Sequence, residues 1–409
     1  MKIPFAPPLI NEAVIKEVTD TLASGWITSG PKVRLLESLL TGYTQLPACV
    51  CVNSWTSGAQ LALKWWGVGP GDEVIIPAYT YAATALVVLH AGAIPVMVDI
   101  NEDFTMEPSL LRQALSPRTK AIIPVDFAGW PCDYTSIRNM LREPGIRSLF
   151  RPSTARQQAL GRPLLMADAA HSLGATYQNR PAGLQADIAV YSLHAVKNIT
   201  TAEGGVIGLN LPAPFNNQEV QHWMKINSLN GQTRDAFEKA QGRSWRYDIV
   251  SDGLKVNMPD VCAAIGIAQL REYDQSLLPQ RQKIARRYSE ELGRYPWAQL
   301  PPLRSAMAES ACHIFPLCIK GVTEVLRDEL IDLIQEKGVS VNVHFIPLPL
   351  LTLFREKGYS IDKYPVSYAK FAAEISLPIY PQLSDMEVDH VLSALVQAYN
   401  TVTGSKASG

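Results

Sequence analysis

The sequence is poor in the features that mark membrane, secreted or nucleic-acid-binding chains. No apolar run in its 409 residues approaches the roughly 18 residues that a membrane-spanning helix needs. Neither sign of charge dominates: 37 basic residues face 38 acidic ones, a formal net charge of -1. This balance gives no reason to expect nucleic acid or a membrane as partner, so any anion recognition has to be local. There are six cysteines and no CxxC pair, so neither a zinc site nor a disulfide framework is expected, and no other metal site is indicated. The opening MKIPFAPPLINEAV is interrupted by three prolines and followed by charges, unlike a signal peptide. Unpaired thiols then suggest the cytoplasm, where they stay reduced. Internal repeats and low-complexity stretches are missing too.

What is present is the texture of a folded α/β protein, with 47% hydrophobic and 18% charged residues. The length exceeds one ordinary core and suggests a large domain over 1–270 and a smaller one over 271–409. Short apolar runs recur at 48–52, 73–76, 94–98, 121–125, 164–167, 188–192 and 205–209, separated by helical patterns such as 57–66, 82–91 and 134–141. Runs this continuous predict strands covered on both faces, hence a mostly parallel sheet between helices. A polar stretch, 227–248, reads as a long functional loop. Beyond the helix expected over 279–292, strands at 312–319 and 339–345 and helices near 323–337 and 384–399 predict a small α+β domain. The tail 403–409 reads as frayed.

Two residues stand out for their chemistry. Asp168 ends an apolar strand in LLMADAAHS, and Lys197 follows another strand in YSLHAVKNITTAEGG. Strand ends are where open α/β sheets collect ligands. An acid and a lysine delivered from neighbouring strand ends suit pyridoxal 5'-phosphate (PLP). The lysine forms a Schiff base with the aldehyde, and the carboxylate keeps the pyridine nitrogen protonated. Taken singly, Asp168 reads as a helix cap and Lys197 as a solvated lysine. The segment VNSWTSGAQLALKWW turns from a strand into a helix, so the N–H groups and hydroxyls of Thr56 and Ser57 can receive a phosphate; a plain helix cap is the alternative. Ser192, five residues before Lys197, is a further phosphate donor. Tyr81, opening a helix in PAYTYAATALVVLHAGA, can stack on a pyridine ring or simply pack in the core. Lys255, in DGLKVNMPDVCAAIG, would suit an anion.

In this order the residues resemble the DegT/StrS-type sugar aminotransferases, a branch of the fold-type-I PLP enzymes. The likeness runs from LASGWITSGPKV to SLPIYPQLSDMEV and is strongest at ADAAHS and SLHAVKNITTAEGG. It implies that Lys197 carries PLP and moves a proton, that Asp168 pairs with the pyridine nitrogen and that His171 lies near the ring. It further implies Tyr81 as the stacking aromatic, Thr56, Ser57 and Ser192 as phosphate ligands, and Lys255 as a residue reaching the phosphate of a neighbouring subunit in a homodimer with shared sites. Trp26, Thr28, Arg234 and His344 are the substrate-binding candidates, with core roles for Trp26 and His344 as the alternative. Two positions depart from the pattern. Trp55 replaces the usual glycine of the phosphate turn and disfavours a left-handed backbone there. Asp126 stands where many relatives have histidine, which would change a contact near the sugar. The apparent insertion 143–162 reads as a surface loop.

The expected reaction is transfer of an amino group from L-glutamate to a keto-sugar nucleotide. AVKNITTAEGG and LNGQTRDA look closest to members acting on UDP-linked N-acetyl sugars, hence on the C4 keto group of a UDP-linked 4-keto-6-deoxy-N-acetylhexosamine. A dTDP-keto-sugar 3- or 4-aminotransferase is the alternative. A related sugar dehydratase would carry histidine in place of Lys197, a desulfurase would need a cysteine on a mobile loop, and a PLP-binding regulator would need a DNA-binding module.

Overall fold

The computed structural model describes residues 1–235, 237, 242 and 245–404. Part of the long polar stretch 227–248 and most of the tail 403–409 lie outside these residues. Seven short strands form the main sheet: β1 (Ala48–Val52), β2 (Glu73–Pro77), β3 (Ile94–Val98), β4 (Thr119–Ile122), β5 (Leu164–Asp168), β6 (Ile188–Ser192) and β7 (Gly205–Leu209). Their spatial order is β1-β7-β6-β5-β4-β2-β3. Every pairing from β6 through to β3 is parallel, while β7 runs antiparallel to both of its neighbours. Every residue of β1, β2, β5 and β7 is buried, which is why these strands read as unbroken apolar runs rather than alternating ones.

Helices cover both faces. On one side α2 (Pro31–Thr44) and the helix Asp260–Glu272 contribute Leu36, Leu40, Ala263 and Ile267 to a core. They continue outward into α1 (Glu12–Ala23), which packs on Asp260–Glu272. On the other side α3 (Trp55–Trp66) and α4 (Ala82–His90) supply Ala59, Leu63, Trp66, Ala85 and Val88. The segment 143–162 is more ordered than a surface loop. It folds into helices Pro144–Leu149 and Ala155–Leu160, and its fully buried Gln157 donates to the carbonyl of Trp66 at 3.1 Å, satisfying an end of α3.

A third core gathers the C-terminal elements: β8 (Phe315–Ile319) and β9 (Glu374–Leu377), paired antiparallel, with helices Glu324–Glu336 and Asp385–Gly404. Ile3, from the start of the chain, is buried in this core and bridges to Val339. The strand expected at 339–345 does not form; only single bridges, such as Asn342 to Ser376, remain. Side chains take over the backbone bonds there. Asn342 Oδ1 accepts the N–H of Val343 at 2.8 Å, and Glu374 Oε2 accepts that of His344 at 2.9 Å. Among the described residues no helix is long and apolar enough to cross a membrane, and no His/Cys/Asp/Glu group could hold a metal ion.

Candidate active site

The parallel pairing of β5 with β6 sets Asp168 opposite Val190, so the two strands deliver their ends side by side. Asp168 is the last residue of β5, and Lys197 follows β6 in a turn closed by its own N–H on the carbonyl of His194 at 3.0 Å. Both line one cavity of about 480 Å³. Thr56, Tyr81, His171 and Ser192 line it as well, and His313, His344 and Phe345 close it from the C-terminal elements.

Asp168 is buried, with Oδ2 accepting from the Thr84 hydroxyl at 2.8 Å and Oδ1 from the Ala170 N–H at 3.2 Å. Burial nevertheless pushes its pKa up to about 7, against those two bonds and the nearby Lys197. Desolvation lowers Lys197 to about 8, with Asp168 opposing. Lys197 thus only partly offsets the burial of the carboxylate, and the amine is close to losing its proton. His171 and His313 lie with ring centroids 4.4 Å apart, and desolvation holds both well below the ordinary imidazole range. The Ala128 N–H donates to His171 Nδ1 at 3.2 Å, so the ring proton sits on Nε2.

The phosphate turn is made differently from the way its sequence implies. Ser54 caps α3, accepting the N–H of Ser57 at 3.0 Å from an extended backbone with φ -166°. Trp55 is thus the first helical residue, not a left-handed one, and its bulk is accommodated in the core beneath. Its indole N–H is buried without a partner among the described residues. The Ser57 hydroxyl accepts from Ser54 at 3.0 Å, and Ser57 does not line the cavity. Asp126 does not reach it either. It is fully buried, accepting from the Cys132 N–H and the hydroxyls of Tyr134 and Ser172, and so holds the backbone beside His171 rather than contacting a sugar.

Four other expected residues also lie away from this cavity: Lys255, Trp26, Thr28 and Arg234. Lys255 donates to Asn257, Trp26 packs edge-on against Phe237 at 5.2 Å, and Thr28 is exposed. None of them lines the second cavity of about 390 Å³ either, but three bond to residues that do: Trp26 to Ser29, Lys255 to Asn257 and Arg234 to Gln232. Conversely, Thr84 and His313 escaped the reading of the sequence. Thr84 was traceable: it lies three residues beyond Tyr81, on the helix that opens at a strand end. His313 sits in an apolar run and carries no local signal.

A carboxylate raised by burial, an amine lowered by burial in the same cavity, and a twelve-residue helix whose first residues, Trp55 and Thr56, line that cavity form a donor set that fits PLP. With the mixed, mostly parallel sheet, this defines a fold-type-I PLP enzyme. The comparisons agree: residues 8–396 match the DegT/DnrJ/EryC1/StrS aminotransferase family, and the chain belongs to that family. It is a PLP-dependent aminotransferase. Spr1654 of Streptococcus pneumoniae, assigned as a sugar aminotransferase, is similar in its PMP form, with 42% identity and a TM-score of 0.94 over 98% of this chain and 100% of that one. Its PLP form matches at 41% identity and 0.93 with the same coverage. The spore coat polysaccharide biosynthesis protein SpsC of Bacillus subtilis is 33% identical over 398 residues, 96% of each chain.

Proposed function

We propose that the enzyme transfers an amino group from L-glutamate to the C4 keto group of a UDP-linked 4-keto-6-deoxy-N-acetylhexosamine, in the cytoplasm, for a cell-surface glycan. The observation that carries the reading is the pairing of Lys197 with Asp168 in one cavity. The names of Spr1654 and SpsC support a sugar as acceptor and a polysaccharide as destination.

When bound, PLP supplies the electron sink for loss of a proton from the substrate carbon. Lys197 Nζ takes that proton and returns it, a task suited to an amine whose pKa burial has lowered to about 8. Asp168 provides the negative charge that holds the ring nitrogen protonated, and Thr84 orients that carboxylate. The backbone of Thr56 at the start of α3, with the hydroxyls of Thr56 and Ser192, holds phosphate. His171 stays neutral and donates from Nε2. Tyr81, 64% exposed, offers its ring at the cavity mouth.

A homodimer with shared sites is part of the proposal. Ile27, Tyr247, Ile249 and Val250 are large apolar side chains left exposed, and Ile249 bridges to Gln232 in the wall of the second cavity. In a dimer Lys255, Trp26, Thr28 and Arg234 would serve the site of the other copy. Incubation with nitrogen-15 L-glutamate and the UDP-linked 4-keto sugar tests the function by product mass. Label in the sugar is expected. Label only with a dTDP-linked keto sugar would reassign the nucleotide, and none with either would overturn the reading.

A further inference from the structure

His344 lines the cavity, but what fixes its ring lies behind it, in β9. His344 Nδ1 is 2.9 Å from the Ser376 hydroxyl, which in turn donates to Glu374 Oε1. The other oxygen of Glu374 accepts the backbone N–H of His344 itself at 2.9 Å. Glu374 and Ser376 are both fully buried, so these bonds face no competition from water. Phe5 stacks on the imidazole at 5.5 Å between centroids and fixes its plane.

We propose that Glu374 and Ser376 are positioning residues that set the tautomer of His344, holding the proton on Nδ1 so that Nε2 presents a lone pair to a hydroxyl or amide N–H of the sugar acceptor. A carboxylate that only accepts obliges the Ser376 hydroxyl to donate to it, which leaves the hydroxyl oxygen to accept Nδ1–H. Desolvation, aided by Lys197, pushes His344 down to about 3, so the ring stays neutral and keeps one nitrogen without a proton. Burial also pushes Glu374 up to about 8, and a protonated Glu374 would reverse the two bonds of the Ser376 hydroxyl and move the ring proton to Nε2. Asn342 decides between the two. Its Oδ1 is committed to the N–H of Val343, so its amide nitrogen is the atom that points at Nε2, at 3.5 Å. An N–H there can approach a lone pair but not a second N–H.

This inference rests on the sugar-acceptor reading above for the ligand of Nε2, but not for the tautomer. Nitrogen-15 NMR of histidine-labelled holoenzyme without sugar reads the tautomer directly, with the His344 signals assigned by a His344→Gln variant. The expected result is Nδ1 in the protonated range and Nε2 in the unprotonated range. Ser376→Ala should mix the tautomers, and Glu374→Gln, whose amide donates to Ser376, should invert them. Both variants should raise KM for the UDP-linked 4-keto sugar about tenfold with a smaller effect on kcat, the size of one net hydrogen bond. Ser376→Thr, which keeps the hydroxyl, should restore the tautomer and most of the KM. Protonated Nε2 in the unmodified protein, or an unchanged tautomer in Glu374→Gln, would overturn the relay. A correct tautomer with no amination of the sugar would leave the relay standing and sink the functional reading instead.

Discussion

Thr84 shows how a single hydroxyl can tune this site. It lies in the first turn of α4, almost wholly buried, and donates to Asp168 at 2.8 Å. Thr84→Val keeps the shape and removes the donor, so the carboxylate becomes harder to ionise and a weaker partner for a cationic ring. A bond to a charged group is worth about 1.5–3 kcal/mol, so PLP affinity should fall about 10- to 100-fold in an absorbance titration. Lys197 carries the second prediction at this scale. Lys197→Ala should lose about 1000-fold or more in turnover, as expected when a group acting directly in proton transfer is removed. The pH dependence follows from its lowered pKa. The neutral amine is the form that captures PLP, and its fraction grows as pH rises toward about 8. Uptake of PLP by the apoenzyme should therefore accelerate about tenfold per pH unit below 8 and level off above it. A midpoint near the ordinary 10.5 would contradict the desolvation argument. Asp168→Asn removes the charge that raises the Lys197 pKa and should move the midpoint lower.

At the scale of elements, the phosphate turn depends on a strand beside it. Gly205 starts β7, and a Cβ there would lie 2.4 Å from the carbonyl carbon of Ser54, a backbone atom that cannot swing aside. Gly205→Ala should displace the start of α3, weakening PLP binding more than it lowers thermal stability, as compared by titration and by melting of the apoenzyme. The sequence made the main sheet legible because doubly covered strands are short, unbroken apolar runs, and each of the seven expected runs overlaps one of its seven strands, 121–125 sharing only its first two residues with Thr119–Ile122. It made Asp168 and Lys197 legible because both end or follow such strands. The C-terminal elements were less readable. β9 follows directly on the helix Pro365–Ala373 with no glycine or proline between them, so nothing marks its start. The 339–345 segment alternates like a strand, yet Asn342 and Glu374 divert its backbone bonds. A relay such as Glu374–Ser376–His344 is invisible in sequence, because it depends on two distant segments meeting at one bridge.

For the whole molecule, the position of Lys255 outside the cavity that holds Lys197 makes a specific demand. If Lys255 serves the other copy's site, as proposed, each active site draws Lys197 from one chain and Lys255 from the next. Mixing Lys197→Ala and Lys255→Ala chains, unfolded together and refolded, then separates this from a self-sufficient chain. In a hybrid dimer one site loses both lysines and the other keeps both. Random pairing makes about half the dimers hybrid, so about a quarter of all sites should regain wild-type turnover, above the sum of the two parents. The gain should follow a dimer peak in sedimentation and vanish when the chains are mixed without exchange. If each chain used its own Lys255, no pairing could restore a full site, and the mixture would show only the average of its parents.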